Sequence, residues 1–373
     1  MATELALAQL APPTADAAAG GLGFVYVTEQ LAPDFDEVAQ LLRERTGVRD
    51  WVGTVGHGIC AAGVEYSDEP AIVLMVCELE PDAYRLFSGR KRLADAPGPS
   101  VHTALVHADP GMPELPDLLV DIAGRTETGY LFGGIASGGA GERLPQLAGD
   151  IVRGGLSGVA FSDRVRLLSR VTQGCAPIGA EHEVSECSAH YIERLDGQPA
   201  LDVLLADLGV DEEARQSRDG DEIMRALPQA RLRRGLLIGL SERAQDRRRG
   251  LGDFTVRNVI GIDPHNRVLA ISGTPQAGDR AVFCTRDQQA ARADLIRICA
   301  ELRDEVETEG LTVRGALYYS CVARGSHLFG APGVEMDLIR HNLGDVPLVG
   351  FYANGEIARD RLYGYTGVLT LFV

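Results

Sequence analysis

Apolar positions recur in three blocks of one form. Each has a short apolar run, a stretch with helical spacing, a second apolar run, a glycine turn and a third run. In the first block, residues 23–28 predict a strand and 34–46 a helix, with Val38, Leu41, Leu42 and Arg45 on one face. Strands are predicted at 51–55 and 71–77. The second block gives strands at 101–108, 130–134 and 158–162 and a helix at 113–123. The third gives strands at 315–321, 348–352 and 367–373 and a helix at 333–343. Between the second and third blocks the pattern changes. Residues 201–208 have helical spacing, and the polar stretch 211–220 is a candidate domain seam. Strands are predicted at 236–240 and 281–285, and a hairpin at 254–262 and 267–272 around Asp263-Pro-His-Asn266. Asp287 is placed to cap a long amphipathic helix reaching about Glu309, which Gly310 stops.

The glycine turns share a spacing: Gly53-Thr-Val-Gly-His-Gly58, Gly133-Gly-Ile-Ala-Ser-Gly138 and Gly350-Phe-Tyr-Ala-Asn-Gly355. Gly47 and Gly344 each stop a helix six residues before Gly53 and Gly350. Turns of this kind let backbone approach a ligand, or only shape a tight connection between strands. A strand-helix-strand unit lays its strands parallel by a right-handed crossover, so both strand ends reach one sheet edge, where α/β proteins bind ligands. In the third block that edge carries Cys321-Val-Ala-Arg-Gly325 and Ala353-Asn-Gly-Glu356. The fold class expected is α/β, with repeated β-α-β-β units forming mixed sheets covered by helices. Two related domains are expected at 21–215 and 216–373, after a disordered tail at 1–20 rich in Ala and Pro.

Charge and cysteine usage narrow the function. Net charge is −17, from 36 basic and 53 acidic residues, which argues against nucleic acid and anionic membranes as partners. The basic cluster Arg231-Leu-Arg-Arg234, Arg243 and Arg247-Arg-Arg249 reads as a solvated loop. Seven cysteines without a CxxC, several inside apolar runs, fit a reducing cytoplasm. The N-terminus lacks the basic region of a secretory signal, and no apolar run is long enough to span a bilayer.

Four blocks in the second half, taken in order, resemble one family. They are Asp253-Phe-Thr-Val-Arg-Asn-Val-Ile-Gly-Ile-Asp-Pro264, Gly278-Asp-Arg-Ala-Val-Phe-Cys-Thr-Arg-Asp287, Ser320-Cys-Val-Ala-Arg-Gly325 and Pro347-Leu-Val-Gly-Phe-Tyr-Ala-Asn-Gly-Glu-Ile357. They resemble the C-terminal domain of the FIST family. The first half resembles its N-terminal domain in Val52-Gly-Thr-Val-Gly-His-Gly58, Leu131-Phe-Gly-Gly-Ile-Ala-Ser-Gly138 and Gly174-Cys-Ala-Pro-Ile-Gly179. The resemblance implies a sensory module of signal transduction that binds small ligands, with amino acids the usual suggestion. It further implies a stand-alone bacterial-type member, without the output domains fused in some relatives. His57 departs from the pattern, standing where the family often has a small residue.

The ligand set expected from these residues is Cys321, Arg324, Gly325, Asn354, Gly355, Glu356, Arg257, His57, Gly58 and Ser137. A guanidinium holds a carboxylate with two parallel hydrogen bonds, and a carboxylate holds an ammonium, so Arg324 and Glu356 would match an amino-acid zwitterion. Alternatively they form an internal ion pair between two loops. Cys321 is also a candidate nucleophile for a hydrolase or transferase, with His327 or Glu356 as base and Arg324 favouring the thiolate, against the plainer role of a small packed residue. Cys175, His182, Cys187 and His190 carry ligand chemistry at a spacing that fits no zinc knuckle, so no metal is expected. Without a Walker A or a Gly-x-Gly-x-x-Gly opening a helix, no nucleotide cofactor is expected either. The function expected is a small-molecule sensor reporting to a downstream signalling protein. An enzyme using Cys321 and a non-catalytic interaction scaffold are the alternatives.

Overall fold

The opening strand of each block runs parallel to the strand that follows its helix. Leu22–Thr28 pairs in parallel with Asp50–Gly56, Thr103–Ala108 with Leu131–Ile135, and Gly315–Cys321 with Leu348–Ala353. On its other side each opening strand takes an antiparallel closing strand: Ile72–Cys77, Leu156–Phe161 and Thr366–Phe372. The crossover helices are Phe35–Thr46, Leu115–Ala123 and Val334–Leu343. The first of them buries Phe35, Val38, Ala39 and Leu42, and ends at Gly47 in the left-handed conformation (φ 74°). These positions come from a computed structural model that describes residues 2–11, 21–80, 82–93, 100–139, 143–229, 235–241 and 254–373. The basic cluster 231–234 with Arg243 and Arg247 to Arg249 lies outside them.

A short hairpin follows each glycine turn, and none of the three stays with its own block. Gly58–Ala61, hairpinned to Val64–Ser67, pairs with Leu348–Ala353 of the third block. Pro145–Ala148, hairpinned to Asp150–Arg153, pairs with Asp50–Gly56 of the first. Glu356–Arg359, hairpinned to Arg361–Tyr363, pairs with Leu131–Ile135 of the second. The exchange is cyclic and yields three mixed sheets. Their facing sides enclose one apolar core that includes Phe24, Leu105, Phe132, Leu317, Phe351 and Val368. The first glycine of each turn is dictated by this packing. A Cβ on Gly53, Gly133 or Gly350 would stand 1.7, 2.0 or 1.6 Å from the carbonyl oxygen of Val25, Val106 or Tyr318 on the neighbouring parallel strand.

The chain divides into two compact units, Met1–Thr172 with Arg292–Val373, and Gln173–Ala291. The division differs from the 215/216 seam, which falls inside the second unit. The tail expected at 1–20 is in part ordered. Ala2–Gln9 is a helix whose Ala2, Ala6 and Leu7 pack on the core beneath Phe35–Thr46, with Glu4 paired to Arg45 at 2.6 Å. Residues 12–20 lie outside the described ones.

In the second unit, Cys175–Ser188 pairs with Arg280–Arg286 along its first part and with Tyr191–Leu195 along its last. Leu237–Ser241, Thr255–Asp263 and Val268–Ile271 complete an antiparallel sheet closed on itself. Helix Ala200–Asp207 packs on its apolar side with Val184, Leu195, Ile238, Leu269 and Phe283. Asp263 Oδ1 accepts from His265 N and Asn266 N at 2.8 and 3.0 Å and so shapes the predicted hairpin turn. Asp287 caps helix Gln288–Thr308 by accepting from Ala290 N at 2.8 Å. Among the described residues, no helix is long and apolar enough to cross a membrane.

Candidate functional site

Cys321 and Ala353 are register partners at the ends of parallel neighbours, with Gly355 two residues on, so the third block's two candidate edges meet as expected. Arg324 follows the first strand end and is 1% exposed. Its partner is Glu335, from the first turn of helix Val334–Leu343, with Nε and Nη2 standing 2.9 and 2.8 Å from Glu335 Oε1. Glu335 also accepts from Tyr318 OH at 2.6 Å, Ser320 Oγ at 3.1 Å and Gly325 N at 3.2 Å. Burial, the largest single effect, would lower the guanidinium's pKa, but the charge and hydrogen bond of Glu335, with Tyr318 and Glu356, together outweigh it and the net direction is up. The Phe329 ring lies 5.3 Å from the guanidinium carbon. Arg324 Nη1 is buried without a hydrogen-bond partner.

Glu356 opens the exchanged hairpin and is fully buried. It forms no ion pair with Arg324. Its Oε2 accepts from Thr366 N at 3.1 Å and Thr366 Oγ1 at 2.7 Å, whereas Oε1 has no hydrogen-bond partner. Burial pushes its pKa up to about 8. Cys321 is buried beside it. Burial first, and then the Glu356 charge, push the thiol up to about 12, opposite to the thiolate that a neighbouring guanidinium was expected to favour.

The other candidates form a second cluster beside the first. Ser137 Oγ accepts from His57 N at 2.8 Å and donates to the carbonyl oxygen of Tyr352, tying one turn from each block together. Ile135 N and Gly355 O, 2.9 Å apart, add a further bond between turns. His57 and Asn354 are exposed. The Tyr352 ring links the clusters, since a Cβ on Gly58 or Gly325 would stand 2.9 or 3.0 Å from it. Of the three turn-ending glycines, Gly355 alone takes a positive φ, +137°; Gly58 and Gly138 do not. Arg257 belongs to the second unit, in strand Thr255–Asp263.

Glu335 is absent from the set that the sequence singles out. A carboxylate in a helix's first turn reads as a partner for the helix dipole, and nothing in the spacing reveals that it faces a strand end. Tyr26, His107 and Tyr319 are likewise absent from it. They are the fifth residues of the three opening strands and meet in the core, with Tyr26 OH 2.7 Å from Tyr319 OH and 3.2 Å from His107 Nε2. Burial lowers the His107 pKa to about 3, so the ring is neutral. In the second unit, His182 stands between Asp196 and Asp207, at 2.6 and 3.0 Å, and Cys187 donates to the carbonyl oxygen of Pro275.

The FIST N domain matches residues 21–198 and the FIST C domain residues 189–359, so the two cover nearly the whole chain. The chain belongs to the FIST family. FIST domains are sensory domains of signal transduction. An uncharacterized protein of Mycobacterium tuberculosis (strain CDC 1551 / Oshkosh) is 30% identical over 342 residues, which cover 86% of this chain and 83% of that one. An uncharacterized protein of Mycobacterium bovis is 31% identical over 339 residues, covering 86% and 82%. Human F-box only protein 22 is 38% identical over 77 residues, covering 20% and 18%. Both FIST matches reach into the first compact unit. Its first two blocks fall in the N match, and the third falls largely in the C match.

Proposed function

We propose that this FIST protein senses a small polar metabolite at the strand-end edge formed by Cys321, Arg324, Gly325, Glu335 and Glu356. One observation carries this reading. A fully buried guanidinium nitrogen and a fully buried carboxylate oxygen stand in one cluster, each without a hydrogen-bond partner. Buried polar atoms are normally satisfied, and two of opposite charge left unsatisfied in one cluster call for an explanation, which a bound polar group supplies. An amino acid is one candidate. Its ammonium would reach Glu356, and its carboxylate would meet only what Arg324 has left after Glu335. The three like-connected blocks are copies of one unit in this reading, and among the described residues only the third carries a buried arginine–glutamate pair. Occupancy would shift a conformational equilibrium that a downstream signalling protein in the cytoplasm reads. The raised thiol of Cys321 favours sensing over nucleophilic catalysis.

A thermal-shift screen of amino acids, amines and small acids tests this, because a ligand that prefers the native state raises the unfolding midpoint. Calorimetry of a hit should then show Arg324→Ala losing about 2–5 kcal/mol of binding and Arg324→Lys a clear fraction of that. Equal affinity in both variants and in Glu356→Gln would make these residues structural and move the search to His57, Ser137 and Asn354.

A further inference from the structure

The charge balance of the cluster restricts what it takes, an inference that rests on the reading just given. Arg324 and Glu335 neutralise each other, and the Glu335 carboxylate is saturated by Tyr318, Ser320 and Gly325. Glu356 stands outside that pair. The groups facing it are Cys321 at the end of strand Gly315–Cys321, Arg324 three residues beyond it, Tyr363 opposite it in the hairpin, and Thr366 from the closing strand. The one cation among them, Arg324, is already matched. A second carboxylate charge with no exposure and no counter-ion is costly, so the group keeps its proton. The upward direction of its pKa agrees.

We propose that the site binds a small primary amine carrying a hydroxyl or carbonyl oxygen near the charge, and that Glu356 gives up its proton as the ammonium takes its place. The ammonium donates to Glu356 Oε1, and the oxygen accepts from Arg324 Nη1. No covalent bond of the ligand changes. The carboxylic acid becomes a carboxylate, its proton leaves to solvent, and the cluster's net charge stays at zero. A simple carboxylate would leave the cluster with an uncompensated negative charge.

The probe is ethanolamine hydrochloride at pH 7, against sodium chloride of equal ionic strength and against ethylene glycol. Ethanolamine should raise the thermal midpoint by a few degrees, and the two controls should not. Calorimetry in two buffers of different ionisation enthalpy should show close to one proton released per chain at saturation. In the unaltered protein, the infrared carbonyl band of a protonated carboxyl should disappear as ethanolamine binds. Glu356→Gln should lose both the midpoint shift and the proton release. The proposal is overturned by no shift, by an equal shift with sodium, by a shift that Glu356→Gln retains, or by binding without proton release and with the carbonyl band unchanged. If an acid or amino acid from the screen needs Arg324 and Glu356 yet displaces no proton, sensing at this edge stands and the exchange falls. If nothing depends on either residue, both fall.

Discussion

Glu335 holds the buried cluster together, because it accepts from the Arg324 Nε, two hydroxyls and a backbone N–H at once. Glu335→Gln keeps the shape and removes the charge, leaving Arg324 buried and unpaired. The expected cost is about 3–5 kcal/mol, read from denaturant unfolding. Glu356→Gln should cost far less, because a protonated carboxyl and an amide are both neutral. In the second unit, His182 links stability to pH. Burial of the ring opposes its charge, but hydrogen bonds to Asp196 and Asp207 outweigh burial and raise its pKa. A raised histidine contributes fully below its unfolded pKa, about 6.5, and the contribution is lost as pH rises through the folded value. The urea midpoint should therefore fall as pH climbs above that range, and His182→Gln should flatten the profile. Arg324 and Glu356 are legible in the sequence as polar residues beside glycine at strand ends. Their true partners are not, because the facing of Glu335 depends on how helix Val334–Leu343 lies on its sheet.

The strands of the three blocks fall within about two residues of their predicted bounds, for a physical reason. The opening strands are buried along their whole length, so they appear as continuous apolar runs. The exchanged hairpins are not legible. Val64–Ser67 and Arg361–Tyr363 are four and three residues long and only partly buried, too short to show a period. Cys175–Ser188 is exposed or half-buried except at one fully buried residue, Val184, so its ligand-type side chains draw more notice than its strand character. At this scale glycine is testable. Gly350→Ala would put a methyl carbon 1.6 Å from Tyr318 O and force the parallel pair apart, so unfolding at much lower denaturant is expected. Gly89→Ala, with nothing within 4 Å of the added carbon, should leave the midpoint nearly unchanged.

Across the first compact unit, the cyclic exchange of hairpins means that neither matched half carries a complete set of sheets. The first block's hairpin completes a sheet of the third, and the third block's hairpin completes a sheet of the second. Residues 1–188 expressed alone should therefore show no cooperative unfolding transition. Co-expressed with residues 189–373, they should co-purify and regain one. A cooperative transition in either fragment alone would show that the exchange is dispensable.

The same exchange sets a timetable for synthesis. Ile59 leaves the ribosome early, but its pairing partner is Phe351, near the other end of the chain. At about 5–20 residues per second, the hairpin's apolar edge waits on the order of tens of seconds for the strand that receives it. Throughout that time the nascent first block presents an open sheet edge, the kind of surface that holding chaperones bind and that crowded neighbours pair with. A protein whose first hairpin can be placed only by its third block depends on uninterrupted translation, and a stalled ribosome would leave that edge uncovered.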